Sequence, residues 1–221
     1  IGWDTARMLA QKGATVIMAC RSLDKANPAA DRIRALKPSG KVIVMQLDLG
    51  DLDSVRAFVN EFRSQYNCLD LLINNAGVMM PPYGKTRQGF ELQFGTNHLG
   101  HFALTGLLID MLNTTGNARI VTVSSGAHNF GDIQFDNLNW EGNYNPTRAY
   151  GQSKLANLLF TYELHRKLEA TGHNTLAVAA HPGWTATNLQ QSVGFFRILN
   201  PFLAQSADMG AWPTVYAATA L

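Results

Sequence analysis

Three features are scarce in this sequence, and each scarcity argues against a class of protein. The chain has two cysteines, Cys20 and Cys68, too few for a disulfide framework; we expect both as small buried thiols in a reducing compartment. No apolar stretch reaches the roughly 18 residues needed to cross a bilayer, so no membrane span is predicted in the visible chain. The formal net charge is only +2 and no dense Lys/Arg run occurs, which gives no support to nucleic-acid binding.

The two ends of the chain also lack expected features. The sequence begins at Ile1-Gly2 without a methionine and enters a helical pattern at once, and it stops at Leu221 within another helical pattern. A length of 221 residues with 46% apolar content fits one domain with a single core. We therefore expect one domain over residues 1–221 that is incomplete at both ends, with its first and last strands missing. Any signal peptide or membrane anchor upstream of Ile1 would lie outside this sequence.

Between its ends the chain alternates strand and helix patterns. Short apolar runs predict strands at 15–20, 41–47, 69–73, 119–123 and 175–180. Period-3.6 patterns predict helices at 3–12, 23–37, 51–66, 89–112 and 149–170, with a polar loop at 127–148. Continuous apolar strands predict a parallel sheet with helices on both faces, a three-layer, doubly wound α/β fold of the Rossmann type.

In such sheets ligands bind beyond the carboxyl ends of the strands, so the residues that follow each strand are the informative ones. Those positions hold Arg21, Asp48, Asn74 to Gly77, Ser124-Ser125 and Pro182-Gly183. A glycine such as Gly77 lets the backbone approach a ligand closely. The sequence therefore predicts one ligand crevice along this edge.

Tyr150 and Lys154 are the residues most suited to proton transfer. Positions i and i+4 share one face of a helix, and an ammonium near a phenol favours the phenolate. A phenol tuned toward neutral pH can exchange a proton with a carbonyl or alcohol oxygen. Alone, this spacing more often marks a surface contact. A catalytic arrangement is favoured because Ser125 follows the strand at 119–123 and Asn97 lies in the helix predicted at 89–112.

Together these motifs closely resemble the short-chain dehydrogenase/reductase family over nearly the whole chain. The residues that carry the resemblance are Ile1-Gly2, Ala19-Cys20-Arg21, Leu47-Asp48-Leu49, Asn74-Asn75-Ala76-Gly77, Asn97-His98-Leu99-Gly100-His101, Val123-Ser124-Ser125, Tyr150 to Lys154 and His181-Pro182-Gly183. The Asn97–His101 run and the long gap between Ser125 and Tyr150 are similar to the retinol-dehydrogenase-like branch. The family's glycine-rich turn is represented only by Ile1-Gly2, so its contacts stay unassigned.

The resemblance implies a role for each of four catalytic residues. Tyr150 would be the general acid/base, and Lys154 would lower the pKa of that phenol and hold the nicotinamide ribose. Ser125 would bind the substrate oxygen. Asn97 would hold a water that links Lys154 to solvent.

The resemblance also implies which residues would contact the cofactor. They are Ile1, Gly2, Arg21, Asp48, Leu49, Asn75, Ala76, Gly77, Tyr150, Lys154, Pro182, Gly183 and Thr185. No metal is expected, since nothing supplies a third ligand and helix packing or a cap is the better explanation for His98 and His101.

The strand at 15–20, which is the second strand of the fold when the missing first strand is counted, predicts the choice of cofactor. NAD-specific dinucleotide folds place an acid at the end of this strand, whereas an Arg nearby accommodates the 2′-phosphate of NADP. Here the strand ends at Cys20 and Arg21 follows, which favours NADP over NAD. The alternative is that Arg21 is merely a solvated loop residue, which could pair with the nearby Asp24.

The implied function is an NADP-dependent oxidoreductase that transfers a hydride between nicotinamide and an alcohol/carbonyl pair on a small apolar substrate. The substrate could be a retinal-type aldehyde or a lipid or steroid ketone. The rival hypothesis is a non-catalytic dinucleotide-binding module for regulation or assembly. We expect a cytoplasmic location, since the cysteines indicate a reducing compartment, and the resemblance allows a homodimer.

Six further residues keep open alternatives. His128 would either touch substrate or only pack, and Trp184 would either wall the nicotinamide or substrate pocket or only pack. Phe195-Phe196 with Ile198-Leu199 would form either a substrate lid or an exposed, packed helix.

Overall fold

A computed structural model describes residues 1–185 and 205–220. The strands are β1 Thr15–Cys20, β2 Lys41–Gln46, β3 Leu71–Asn74, β4 Arg119–Val123 and β5 Leu176–Ala180. The helices are α1 Gly2–Gln11, α2 Leu23–Arg34, α3 Leu52–Gln65, α4 Leu92–Phe94, α5 Gly100–Thr115, α6 Pro146–Ala170 and α7 Ala207–Thr219. The apolar pairs at 195–196 and 198–199 lie outside the described residues.

The predicted parallel α/β fold is confirmed, with the described strands in two sheets. β1 pairs with β2 in one sheet, β3, β4 and β5 form the other, and every pairing is parallel. No strand pairing joins the two sheets within the described residues. Buried side chains from both sheets, Met45 on β2 and Leu72 and Ile120 on β3 and β4, nevertheless meet in one core cluster. The sheets are therefore joined by apolar packing.

Helices cover both faces, as the continuous apolar strands predicted. On one face α3 and α5 pack Phe58, Phe62 and Leu108 into the main core. On the other face α1 and α2 pack around Ala10 and Ile33. This arrangement fixes the strand ends, and hence the polar residues that follow them, along one edge.

Two elements differ from the sequence prediction near the site. The helix predicted at 89–112 consists of α4, a π-helical turn Gly95–Leu99, and α5. Helix α6 begins at Pro146, inside the predicted loop, because the Asn145 side chain caps its first N–H groups and proline is well tolerated at the first helical position. A 3₁₀ helix Gly126–Phe130 occupies another part of that loop.

The prediction that both cysteines are buried is wrong for Cys68. Its side chain is exposed, because the residue lies in the connection before β3 rather than in the strand, whereas Cys20 at the end of β1 is half-buried. Both thiols are free. In the part of the chain that the structure describes, no helix combines the length and apolar content required to cross a membrane.

Candidate active site

Helix α6 carries Tyr150 and Lys154 on the face turned toward the end of β4. The cap at Asn145 starts the helix only five residues before Tyr150, so both side chains project from its first three turns. Tyr150 is 6% exposed and Lys154 is 4% exposed. The two residues predicted to act together therefore share one buried face.

The Lys154 ammonium sits close to the phenol ring but bonds elsewhere. Its Nζ donates to the carbonyl of Val123 at 3.1 Å and lies 5.7 Å from the centroid of the Tyr150 ring. Burial lowers the pKa of Lys154 to about 8. The group retains donor capacity beyond the Val123 bond, because an ammonium carries three N–H bonds.

The pKa of Tyr150 is raised, whereas the proximity of Lys154 predicted that it would be lowered. Burial raises the pKa of the Tyr150 phenol, and the hydrogen bond with the Ser125 side chain only partly opposes that shift. The physical reason is that a phenolate loses hydration in this apolar pocket, while the Lys154 ammonium that would compensate is bonded to a backbone carbonyl. Tyr150 is thus held as a neutral phenol.

The two serines after β4 face different partners. Ser124 donates through Oγ to the carbonyl of Lys154 at 2.8 Å and so ties the strand end to α6. Ser125 caps the 3₁₀ helix, where its Oγ accepts from the N–H of Ala127 at 3.3 Å, and its side chain also reaches Tyr150. The structure therefore brings Ser125, and not Ser124, beside the phenol. The imidazole Nδ1 of His128 pairs with the Ser125 carbonyl at 2.7 Å.

Asn97 lies fully buried in the π-helical turn. Its Oδ1 accepts from the N–H of Val78, and its Nδ2 donates to the Val78 carbonyl and to Ser153 Oγ, at 2.8 to 3.0 Å. The side chain thus joins the loop after β3 to helix α6. The Asn97 carbonyl pairs with Nδ1 of His101 at 2.9 Å. The sequence reasoning missed this use of His101, although a spacing of four residues on a helix could have indicated it.

Two glycines in the predicted cofactor segments occupy positions where a side chain would collide. A Cβ on Gly77 would lie 3.0 Å from Oδ1 of Asn97, and one on Gly2 would lie 2.6 Å from Nδ2 of Asn75. The start of α1 therefore lies against the loop after β3, which also contains Ala76. A side chain at either position would therefore have to displace an asparagine side chain of the candidate site.

The remaining predicted cofactor segments follow β2 and β5. Asp48 Oδ1 accepts from the N–H of Gly50 at 2.8 Å, which shapes the turn after β2 and packs Leu49 against α5. After β5, Thr185 is buried and its Oγ1 donates to the Pro182 carbonyl at 2.9 Å. Gly183, between them, has φ +70, in the region that favours glycine.

Arg21 is exposed directly after β1, where the cofactor prediction requires it. Across residues 1–185 and 205–220 its guanidinium has no hydrogen bond or ion pair, so the predicted alternative of pairing with Asp24 is not present there. Burial raises the pKa of the neighbouring Cys20 thiol, which favours the uncharged form. This strand end thus presents one cation and no acid.

Comparison with known proteins agrees with this geometry. A family model described as short chain dehydrogenase matches residues 1–195. Retinol dehydrogenase 12 of Mus musculus is 46% identical over all of this chain and 70% of its own length. Retinol dehydrogenase 11 of Homo sapiens is 45% identical over 99% of this chain and 69% of its own length.

The solved structures agree as well. An uncharacterized protein from Mycobacterium Paratuberculosis is 49% identical with a TM-score of 0.81, covering 99% of this chain and 72% of its own. The chain therefore belongs to the short-chain dehydrogenase/reductase family of NAD(P)-dependent oxidoreductases acting on CH–OH groups, and to its retinol-dehydrogenase-like branch.

Proposed function

We propose that this protein transfers a hydride reversibly between NADP(H) and an alcohol/carbonyl pair on an apolar substrate. The observation that carries the proposal is the buried Tyr150 phenol, which lies beside the Ser125 side chain and the Lys154 ammonium at the carboxyl end of the sheet. We assign all of these groups to one dinucleotide-binding domain spanning residues 1–221.

In the direction of reduction, Ser125 and Tyr150 hold the carbonyl oxygen between their hydroxyls. Tyr150 then donates its proton to that oxygen, and the burial that raises its pKa keeps the phenol protonated for this step. The bound nicotinamide dinucleotide supplies the hydride. The nearby Lys154 cation stabilises the phenolate that remains.

Reprotonation of Tyr150 requires a path from Lys154 to solvent. We assign Asn97 the role of holding a water on that path. Its position supports this role, because a Cβ on Gly77 would lie 3.0 Å from Asn97 Oδ1 and 3.8 Å from Lys154 Nζ, so the amide and the ammonium are close together.

The residues present fit a dinucleotide along the crevice. The start of α1, at Ile1 and Gly2, offers backbone N–H groups to a pyrophosphate, because the helix has no side-chain cap there. The adenosine half would be held by Asp48, Leu49, Asn75, Ala76 and Gly77. The nicotinamide half would be held by Tyr150, Lys154, Pro182, Gly183 and Thr185. Gly77 supports this assignment, because it lies beside both Asn97 and Lys154.

The preference for NADP rests on the end of β1. The guanidinium of Arg21, which has no partner among the described residues, suits the ribose 2′-phosphate through its fork of donors, and Cys20 replaces the acid that NAD would require. We therefore assign Arg21 to the 2′-phosphate.

The apolar substrate rests on what packs around Tyr150. Met79 and Ala127 form a buried cluster with the phenol ring, and Met80 packs against it. A retinoid-like aldehyde is favoured by the names of the relatives, and a lipid or steroid ketone is the alternative. Free thiols at Cys20 and Cys68 agree with a reducing, cytoplasmic setting.

NADPH fluorescence, recorded with a panel of apolar aldehydes and ketones, tests the function in the full-length protein. Saturable cofactor oxidation that depends on the carbonyl compound is expected. Tight NADPH binding without turnover for any carbonyl would instead favour the rival hypothesis of a regulatory or assembly module.

We also propose a homodimer. Helices α5 and α6 expose Phe102 and Tyr162, at 55% and 65%, beside Leu159. Large exposed apolar side chains on neighbouring helices fit a self-association surface. Sedimentation equilibrium should show a dimer, and Phe102→Glu should shift it toward monomer; a wild-type monomer at micromolar concentration would contradict this.

A further inference from the structure

Gln93 is a fully buried polar side chain that has no part in the proposed chemistry. It lies in the short helix α4, between the loop after β3 and the start of α6. Its Oε1 accepts from the N–H of Met80 at 2.8 Å. Its Nε2 donates to the Tyr144 hydroxyl at 2.8 Å and to the Pro146 carbonyl at 2.9 Å. One side chain therefore binds two segments that flank the site.

The first of these segments contains an unusual backbone conformation. Met80 has φ +50, in the left-handed region that is unfavourable for a residue with a Cβ and that often marks functional sites. The hydrogen bond from its N–H to Gln93 helps to hold this conformation. The conformation directs Met80 against the cluster of Met79, Ala127 and Tyr150.

The second segment is the start of the helix that carries the phenol. Pro146 is the first residue of α6 and precedes Tyr150 by four residues, about one helical turn. Tyr144, the other partner of Gln93 Nε2, donates to the Pro81 carbonyl at 3.0 Å and so returns to the residue after Met80. Gln93 thus sets the spacing between the Met80 segment and the Tyr150 helix.

We propose that Gln93 is a positioning residue that determines substrate preference. It holds Met80 against Tyr150 and thereby forms the apolar wall along which an extended hydrocarbon chain of the substrate packs. The inference rests on the proposed function, and it goes beyond that function by naming a residue outside the catalytic set that controls the preference for substrate chain length.

The test compares a long and a short aldehyde, decanal and propanal, with NADPH in the full-length protein. The wild type is expected to prefer decanal in kcat/KM. Gln93→Leu should lower the ratio of decanal to propanal at least about tenfold, mainly through a higher KM for decanal, because hydrophobic pocket contacts discriminate chains by that order. Met80→Gly should lower the decanal-to-propanal ratio by a similar factor. The double variant should lower this ratio little further than either single variant, because both changes act on the same contact.

Gln152→Leu is the matched control. Gln152 is also fully buried and also bonds the backbone, at Gln134 N–H and the Leu138 carbonyl, but it has no bond to Met80. Its loss should lower Tm and leave the substrate ratio unchanged. Equal loss of preference in Gln93→Leu and Gln152→Leu would show only general loosening and would overturn the proposal.

The failures of the inference and of the proposed function are distinguishable. A wild type that turns over both aldehydes equally, or a Gln93→Leu enzyme with the wild-type ratio, overturns the inference alone. If Gln93→Leu does not fold, Met80→Gly decides, and an unchanged ratio in that variant overturns it. Absence of turnover with every carbonyl compound overturns the proposed function and this inference together.

Discussion

At the scale of single residues, the proposed role of Tyr150 depends on its hydroxyl. Tyr150→Phe deletes that hydroxyl and keeps the ring that packs against Met79 and Ala127. We expect kcat to fall by about 10² to 10⁴-fold, the usual contribution of a general acid or base. Titration of NADPH fluorescence should show cofactor binding within a few fold of wild type. Unchanged kcat in this variant would contradict the assignment.

Arg21 provides a prediction about cofactor choice. Arg21→Ala removes the cation next to the proposed 2′-phosphate and should raise KM for NADPH far more than for NADH. Cys20→Asp should move preference toward NADH, because an acid repels the 2′-phosphate and accepts the 2′-hydroxyl. The measurement is kcat/KM for both cofactors in each variant. Equal losses for NADH and NADPH in Arg21→Ala would mean that the residue is structural.

His101 links burial to acid stability. Burial lowers its pKa to about 4 from an ordinary 6.5, so between these values the unfolded chain binds a proton that the folded chain does not. The contribution of neutral His101 to the free energy of unfolding is therefore fully present above pH 6.5 and declines as the pH falls toward 4. His101→Gln keeps a side-chain donor for the Asn97 carbonyl but cannot titrate. Urea unfolding at pH 7 and pH 5 should show a smaller decline in this variant, with the exposed His165→Gln as the control.

At the scale of elements, the π-helical turn explains how a helix meets the site. Gly95–Leu99 interrupts the helical pattern and turns Asn97 toward Val78 and Ser153. Such turns are frequent at functional sites. A hydrophobic periodicity cannot reveal one extra residue per turn, so the sequence predicted an uninterrupted helix.

Two glycines in α5 give an element-scale prediction with its own control. A Cβ on Gly100 would lie 2.4 Å from the Leu49 carbonyl oxygen, whereas a Cβ on Gly106 would meet nothing within 4 Å. Gly100→Ala should therefore destabilise the protein by about 1–3 kcal/mol, as overpacking does. Gly106→Ala should stabilise it by about 0.5–1 kcal/mol, because alanine is the better helix former. Urea unfolding of both variants checks the opposite signs.

At the scale of the whole molecule, the two sheets are coupled through side chains. β1–β2 and β3–β4–β5 share no strand pairing in the described ranges, and the shared core joins them. We expect the 221-residue polypeptide by itself to unfold over a broad temperature range, because the facing strand edges of the two sheets, unpaired in the described ranges, leave backbone groups without strand partners. Circular dichroism melts measure this. A sharp transition of a soluble monomer would show that packing alone couples the sheets.

The sequence by itself determined the order of the elements and the placement of the candidate residues. Continuous apolar runs predicted β1 and β4 at their observed bounds, and parallel strands bring the residues that follow them to one edge. The spacing of Tyr150 and Lys154 predicted a shared helix face, which α6 confirms. These features follow from local periodicity and chain direction, and both can be read from the order of residues.

Only the tertiary structure decided the electrostatic and conformational state of the site. Burial, and not the Lys154 charge, sets the direction of the Tyr150 pKa, because solvation depends on residues distant in the chain. The hydrogen bonds of Gln93 with Met80 and Pro146 join segments up to 53 residues apart, and no local sequence pattern predicts them. Exposure of Cys68 likewise depended on where β3 begins. Burial and long-range hydrogen bonds arise only when the whole chain packs, so they lie beyond what residue order alone specifies.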